Sequence, residues 1–180
     1  MSIRDGIPIM NTGEAVYDGE HSLDFYSSDP PNHNEGTHYR NTWTNWRLIP
    51  SSKPVVANPA AKTNFIEIPG RNGALDQTDY LAGKVTYGPR TGSWDFILDN
   101  GWVHTWEEFR KMIIEFLHGK VLTVVLTDVP DVYWKGRFTV NSFTAGANNN
   151  TVSIGYTLDP YCYWIASVSG SHSAGDRCSL

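Results

Sequence analysis

One amphipathic helix stands apart in a chain whose other apolar residues mostly follow the two-residue period of strands. Thr105 is a typical N-cap, and Glu108, three residues later, completes a capping box. Large apolar side chains then recur at helical spacing as far as Gly119, which favours the left-handed conformation that ends a helix. The sequence therefore predicts a helix at 106–118 whose apolar face needs a second layer to cover it.

That second layer is predicted to be an antiparallel sheet. Polar and apolar residues alternate over 133–143 and again over 151–158, and the asparagines between them favour a hairpin turn. Residues 120–127 are β-branched and apolar, which is typical of a central strand buried on both faces. A further strand is predicted at 93–98.

Shorter strands are predicted at 44–49 and 64–68, each stopped by a proline, while 78–87 fits either a bend or a hairpin. Together these elements predict a mainly β fold with one helix. We expect an antiparallel β-sandwich or a partly closed barrel, with the helix packed on it.

The composition divides the 180 residues into three zones. We expect a polar N-terminal arm at 1–41, a domain at 42–161 that holds nearly all of the periodic pattern, and a tail at 162–180. Cys162 and Cys178 could form a disulfide, but it would constrain only the tail, and no export signal accompanies them.

The net charge is −5 and charged residues make up 18% of the chain, which argues against a basic nucleic-acid binder. The longest apolar run, 121–126, is far shorter than the roughly 20 residues of a membrane-spanning helix, so no membrane association is expected.

No catalytic, metal or cofactor motif is apparent. His33 and His38 lie in a Pro/Gly-rich loop at a spacing that fits no helical zinc motif. Asp128 and Asp131 could pair as general acid and base, but they bracket a turn where acidic residues are common. We therefore expect a protein that is not an enzyme and that holds no cofactor and no metal.

Two aromatic residues leave a binding function open. Trp43 and Trp46 lie close together and could stack on a sugar, although ordinary core packing explains them better. A carbohydrate-binding module for host-surface recognition is therefore the alternative to an assembly protein.

Several short motifs follow one another in a fixed order. They are WRLIPSSKP at 46–54, KTNFIEIPG at 62–70, GALDQT at 73–78, YGPRTGSW at 87–94, LHGK at 117–120, DVPDVYWKGRF at 128–138 and DPY at 159–161. This series resembles the N-terminal domain of distal tail proteins from long-tailed phages with non-contractile tails, over residues 42–161. The residues that carry it are Trp46, Pro50, Pro69, Gly70, Gly73, Leu75, Asp76, Tyr87, Arg90, Trp94, Gly119, Asp128, Tyr133, Gly136, Arg137, Asp159, Pro160 and Tyr161.

The resemblance implies a structural virion protein of the phage tail. Such proteins form a hexameric ring at the distal end of the tail tube, connect the tube protein to a baseplate or tail-tip hub protein, and leave a channel for DNA. The implied domain is a β-sandwich with one helix, and a homologous ring in a phage-derived particle fits equally well. Since only a short tail follows Tyr161, the sugar-binding C-terminal domain of many relatives is not expected.

The ring implied by the resemblance leads to two further expectations. A channel that passes DNA should not bind it tightly, so the inner wall should be acidic or neutral. The segments 1–41 and 162–180 are expected to be assembly arms.

Overall fold

The computed structural model describes residues 3–4, 7–8, 19–28, 31, 39–78, 80, 83–99, 105–146, 150–165 and 173–178. Its strands are β1 Ile3–Arg4, β2 Ile7–Pro8, β3 Leu23–Tyr26, β4 Tyr39–Asn41, β5 Leu48–Pro50, β6 Phe65–Ile66, β7 Leu75–Asp76, β8 Arg90–Leu98, β9 Val121–Leu126, β10 Val129–Ala145, β11 Asn150–Leu158 and β12 Tyr163–Trp164. The helix α1 spans Trp106–Leu117.

Eight of these strands form one antiparallel sheet. Seven follow the order β4-β3-β9-β10-β11-β8-β5, and β12 pairs with the start of β10. The other two ladders, β1–β2 and β6–β7, are separate two-stranded ribbons. The prediction of a mainly β, antiparallel fold with one helix is confirmed.

The sheet is rolled, because its two edge strands are neighbours in the chain. Six inter-strand gaps of about 4.8 Å would place β4 and β5 roughly 29 Å apart in a flat sheet. Yet Thr42, directly after β4, accepts a 2.8 Å hydrogen bond at its carbonyl from the backbone of Leu48, the first residue of β5. No ladder joins these two edges, so the sheet is not closed into a barrel and the fold is sandwich-like.

The helix has the predicted caps and is one residue shorter than predicted. The Thr105 hydroxyl accepts from the Glu108 backbone, and the Glu108 carboxylate accepts from the Thr105 backbone. His118 is the C-cap, and Gly119 follows at φ +75°. Phe109, Ile113 and Leu117 form the fully buried face of the helix.

The inner face of the sheet and this helix face enclose the main core, which is rich in aromatic rings. Phe138 of β10 lies at its centre, with the ring of Phe25 at 5.1 Å and that of Trp94 at 6.4 Å between centroids. Strand β9 is buried on both faces as predicted, since Val124 belongs to this core and Val125 to a smaller one with Tyr26 and Tyr133.

Two regions differ from the sequence prediction. Residues 23–26 and 39–41, within the predicted N-terminal arm, are strands of the main sheet, and Leu23 and Phe25 are fully buried. The strand predicted at 44–49 is reduced to Leu48–Pro50. The Asn41 side chain accepts from the backbones of Trp43 and Thr44, which bends residues 42–46 into turns instead.

In the part of the chain that the structure describes, no helix combines the length and apolar character needed to cross a membrane.

Candidate assembly surface

Residues 51–89 connect β5 to β8 and extend away from the main sheet and helix, which we call the body. We call this connection the arm; it is distinct from the N-terminal arm predicted at 1–41. Its first part is held by side chains of β8 and β11. Trp94 Nε1 donates to the Val55 carbonyl at 2.8 Å, and the Ala57 backbone donates to the Tyr156 hydroxyl at 3.0 Å. These bonds fix the base of the arm through backbone atoms, and the half-buried Val56 side chain also packs against the main core.

Arg90 is a further anchor of the arm base. It is only 8% exposed, and its guanidinium donates to the carbonyls of Ala57 at 3.0 Å and Pro160 at 2.8 Å. A buried cation that donates to two carbonyls is a costly group to replace. Arg90 thereby ties the arm base to the segment that follows β11.

Beyond its base the arm continues as a narrow ribbon. Ala61 pairs with Tyr87, with backbone hydrogen bonds of 2.8 Å from Lys62 to Thr86 and from Gly88 to Ala60. Strands β6 and β7 then form the tip of the arm. The chain reverses there through Gly70 at φ +82° and Gly73 at φ +84°, a conformation that favours glycine.

The arm carries most of the exposed large apolar side chains of the described residues. Phe65 is 57% exposed and Tyr80 is 81% exposed. The others on the arm are Val55, Ile66, Ile68 and Val85. A two-stranded ribbon is marginally stable in water by itself, and clustered exposed apolar groups mark contact surfaces. The arm therefore has the properties of a segment that packs against another molecule.

Several residues of the motif series make structural contacts in this fold. Trp94 and Arg90 anchor the arm, and Trp46 and Tyr133 lie in the two cores. A Cβ on Gly136 would lie 2.6 Å from the Leu158 Cα, so the β10–β11 pairing requires glycine there. Of the remaining ones, Pro50, Leu75, Asp76 and Arg137 lie in strands and Tyr87 pairs with Ala61, while the others lie in turns, bends or loops: Pro69, Gly70, Gly73, Gly119, Asp128, Asp159, Pro160 and Tyr161.

The structure separates the two tryptophans considered for sugar stacking. Trp46 is 2% exposed, with the rings of Phe25 and Phe116 within 6.0 Å. Trp43 is half-buried, and the Arg47 guanidinium lies 4.6 Å from its ring. Since Trp46 belongs to the core, the two rings do not form a shared platform for a sugar.

The arrangement most similar to a catalytic dyad is a pair between His21 and Asp128. His21 Nδ1 lies 2.6 and 2.8 Å from the two carboxylate oxygens of Asp128, and Lys53 Nζ lies 3.8 Å from one of them. His21 is 7% exposed and has φ +60°, so the contact holds a strained residue. The three side chains come from distant segments, so their contacts hold these segments together. The sequence analysis named Asp128 but did not identify His21 as its partner.

Metal ligands do not gather anywhere in the described ranges: no group of three or more His, Cys, Asp or Glu is placed to hold an ion. His33 and His38 lie outside the described residues.

Two tyrosines share an acidic neighbour where β3 pairs with β4. Tyr39 donates its hydroxyl to Asp24 at 2.9 Å. Burial, together with the Asp24 charge, raises the pKa of both Tyr26 and Tyr39 well above the usual tyrosine range. On the arm, hydrogen bonds from Thr78 lower the pKa of Asp76. At neutral pH the two tyrosines therefore stay protonated and Asp76 stays ionised, so the hydrogen bonds of Tyr39 and Asp76 are kept.

Sequence reasoning did not predict the arm as a surface. The available signals were the density of proline and glycine over 50–89 and the apolar residues Phe65, Ile66 and Ile68 between these turn formers. These patterns indicate turns and a short strand, but they do not reveal that the strand has no core behind it.

The chain matches no protein-family model, and it matches no curated protein. Among solved structures, it is similar to the crystal structure of the SPP1 Dit protein, presented as a paradigm of the hub adsorption apparatus in Gram-positive infecting phages. That likeness has a TM-score of 0.53 and 15% identity, and covers 79% of this chain and 52% of the other.

A second likeness is to the cryo-EM structure of the anti-feeding prophage baseplate, with 18% identity over 82% of this chain and 93% of the other. Its TM-score of 0.32 is too low to carry an argument. This chain spans about half the length of the SPP1 protein, and what the likeness establishes is a shared fold.

Proposed function

We propose that this protein is a structural component of a phage tail that forms a hexameric ring at the distal end of the tail tube. The observation that carries the proposal is the fold shared with the SPP1 Dit protein, a hub protein by its description. The order of short motifs over 42–161 supports the same family independently of the coordinates. A homologous ring in a phage-derived particle is the same proposal without a genome.

The arm supports an assembly function. In a ring, one face of each subunit meets a different face of the next subunit. A segment that protrudes from one side of each subunit can therefore contact the neighbour on that side. The exposed Phe65 and Ile66 on an isolated ribbon suit this geometry, because a neighbouring copy would bury them. We propose that the arm of each subunit packs on the body of the next.

In this proposal the partners are further copies of the chain, the tail tube protein on one side of the ring and a tail-tip hub protein on the other. DNA passes through the centre and is not held there. The net charge of −5 fits an inner wall that is acidic or neutral, since lysine and arginine contacts to phosphate would slow the passage. The protein would be located in the virion tail.

The N-terminal segment 1–41 divides into two regions in this proposal. Residues 23–26 and 39–41 are built into the sheet and belong to the body. The β1–β2 ribbon at the N-terminus is separate from that sheet, so it can serve in assembly.

Negative-stain imaging of the purified protein over a range of concentrations tests the proposal. We expect rings with six-fold symmetry and an open centre. A particle that stays monomeric at high concentration and also when mixed with tail tubes would overturn it.

A further inference from the structure

The two cysteines lie opposite each other where the end of the described chain pairs with β12. Tyr163 pairs with Arg177 in an antiparallel bridge. The backbone of Cys178 donates to the Cys162 carbonyl at 2.8 Å, and that of Trp164 donates to the Asp176 carbonyl at 2.9 Å. This register places Cys162 directly across from Cys178, although 15 residues separate them in the sequence.

Several contacts hold the segment 173–178, which we call the C-terminal clasp, in this register. Its turn is closed by the Asp176 carboxylate, which accepts from the Ser173 backbone at 2.7 Å. Gly175 donates to the Trp164 carbonyl at 2.7 Å, and the Arg177 guanidinium lies 4.8 Å from the centre of the Tyr161 ring. The two cysteines are therefore held together by backbone bonds that do not involve sulfur.

This placement suits a disulfide. Directly opposite residues of an antiparallel pair have Cα atoms about 4.5–5.5 Å apart and side chains on the same face. A disulfide accepts Cα separations of about 4.4–6.8 Å. Both cysteines carry free thiols in this structure. The backbone register therefore already suits bond formation between the two sulfur atoms.

We propose that Cys162 and Cys178 are a thiol–disulfide pair that locks the C-terminal clasp onto β12 when a low-molecular-weight disulfide such as oxidised glutathione is present. The Cys162 thiolate attacks one glutathione sulfur and releases the other glutathione as a thiolate. The Cys178 thiolate then attacks Cys162 in the mixed disulfide and releases the second glutathione. Two protein thiols and one oxidised glutathione become one protein disulfide and two reduced glutathiones, with two electrons transferred to the oxidant.

The surroundings of the two thiols set the order of these steps. Cys162 is half-buried, whereas Cys178 is 8% exposed. Burial, with the hydrogen bond to Cys162, raises the pKa of the Cys178 thiol to about 12. Cys162 is therefore the thiol that reacts first with the oxidant. The attack of Cys178 on the mixed disulfide should accelerate about ten-fold for each unit of pH increase, as long as the pH stays below the pKa of the Cys178 thiol.

Intact mass and peptide mapping of the full chain test the pair. The protein is incubated with oxidised glutathione, free thiols are blocked during denaturation, and trypsin is added. Cleavage after Arg137 and Arg177 separates residues 138–177, which hold Cys162, from residues 178–180, which hold Cys178. We expect an intact mass lower by about 2 Da and these two peptides recovered as one disulfide-linked species.

The single variants Cys162→Ser and Cys178→Ser are the controls. Cys178→Ser should retain a glutathione adduct on Cys162, and Cys162→Ser should react much more slowly. Wild-type protein that keeps glutathione on Cys162, forms disulfides between molecules, or retains both thiols at pH 9 would overturn the proposal.

Discussion

The body and the arm of this protein use apolar residues in opposite ways. In the body, aromatic rings such as Phe25 and Phe138 are fully buried between the sheet and one helix. In the arm, Phe65 is 57% exposed on a ribbon of two short strands. The comparison teaches that the body buries its large apolar side chains within itself, while the arm leaves several of them exposed, and we propose that a neighbouring copy covers them.

Replacement of the same residue type in the two regions should produce the largest contrast. We expect Phe138→Ala to lower the free energy of unfolding by about 3–5 kcal/mol, because the cavity it leaves lies in the centre of the core. Phe65→Ala should change the stability of the isolated subunit by less than about 0.5 kcal/mol. Urea denaturation at low protein concentration measures both. Equal losses would remove the distinction between the regions.

Glycine substitutions sharpen the comparison at the level of the backbone. In Gly136→Ala the new methyl group would meet the backbone of β11, and we expect a loss of about 1–3 kcal/mol in unfolding free energy. In Gly73→Ala the new Cβ would have no atom within 4 Å, but the residue must adopt φ +84°. We therefore expect a loss of about 1 kcal/mol in local stability, confined to the arm tip. Hydrogen exchange should show global opening for the first variant and local opening for the second.

The join between the two regions can be broken at Arg90. In Arg90→Met, two backbone carbonyls lose a buried cationic donor, and we expect a cost of about 1–3 kcal/mol. Amide exchange should accelerate most over residues 55–61, at the base of the arm. An even increase over the whole sheet would show that Arg90 supports the body alone.

The two regions should also respond to opposite ends of the pH range. Tyr39 is half-buried beside Asp24, so its pKa is higher in the folded protein than the ordinary value of 10.0. The unfolded chain then loses the proton first, and stability should fall as the pH rises above about 10. Asp76 on the arm has a lowered pKa because its carboxylate accepts hydrogen bonds from Thr78. These bonds should weaken as the pH falls through the pKa of Asp76 and the carboxylate gains a proton.

Thermal unfolding at pH 7 and pH 11 provides the measurement for the body, with Tyr39→Phe as the matched variant. We expect the variant to lose less stability than the wild type between the two pH values. Equal losses would contradict the origin assigned to the alkaline sensitivity.

The sequence was informative where local pattern and burial agree. The Thr105–Glu108 capping box and the 133–158 hairpin needed only local information, and both are confirmed. Strand β3 was missed because its pairing with β9 lies almost 100 residues away in the chain. Trp46 was ambiguous because its environment depends on Phe25 and Phe116, which come from distant segments.

The candidate surface was harder to predict than the fold. An apolar run such as Phe65–Ile66 looks the same in sequence whether a core lies behind it or not. The anchors Trp94, Arg90 and Tyr156 contact backbone atoms at the base of the arm, and they do not involve Phe65 or Ile66.

Native mass spectrometry of an arm variant tests the central claim most directly. The double variant Phe65→Ser, Ile66→Ser removes exposed apolar groups from the arm, and Val121→Ser, Val129→Ser removes exposed apolar groups from the body as a matched control. We expect wild type and control to form hexamers, and the arm variant to remain monomeric with an unchanged unfolding midpoint for the isolated subunit. An arm variant that assembles as well as wild type would contradict the account.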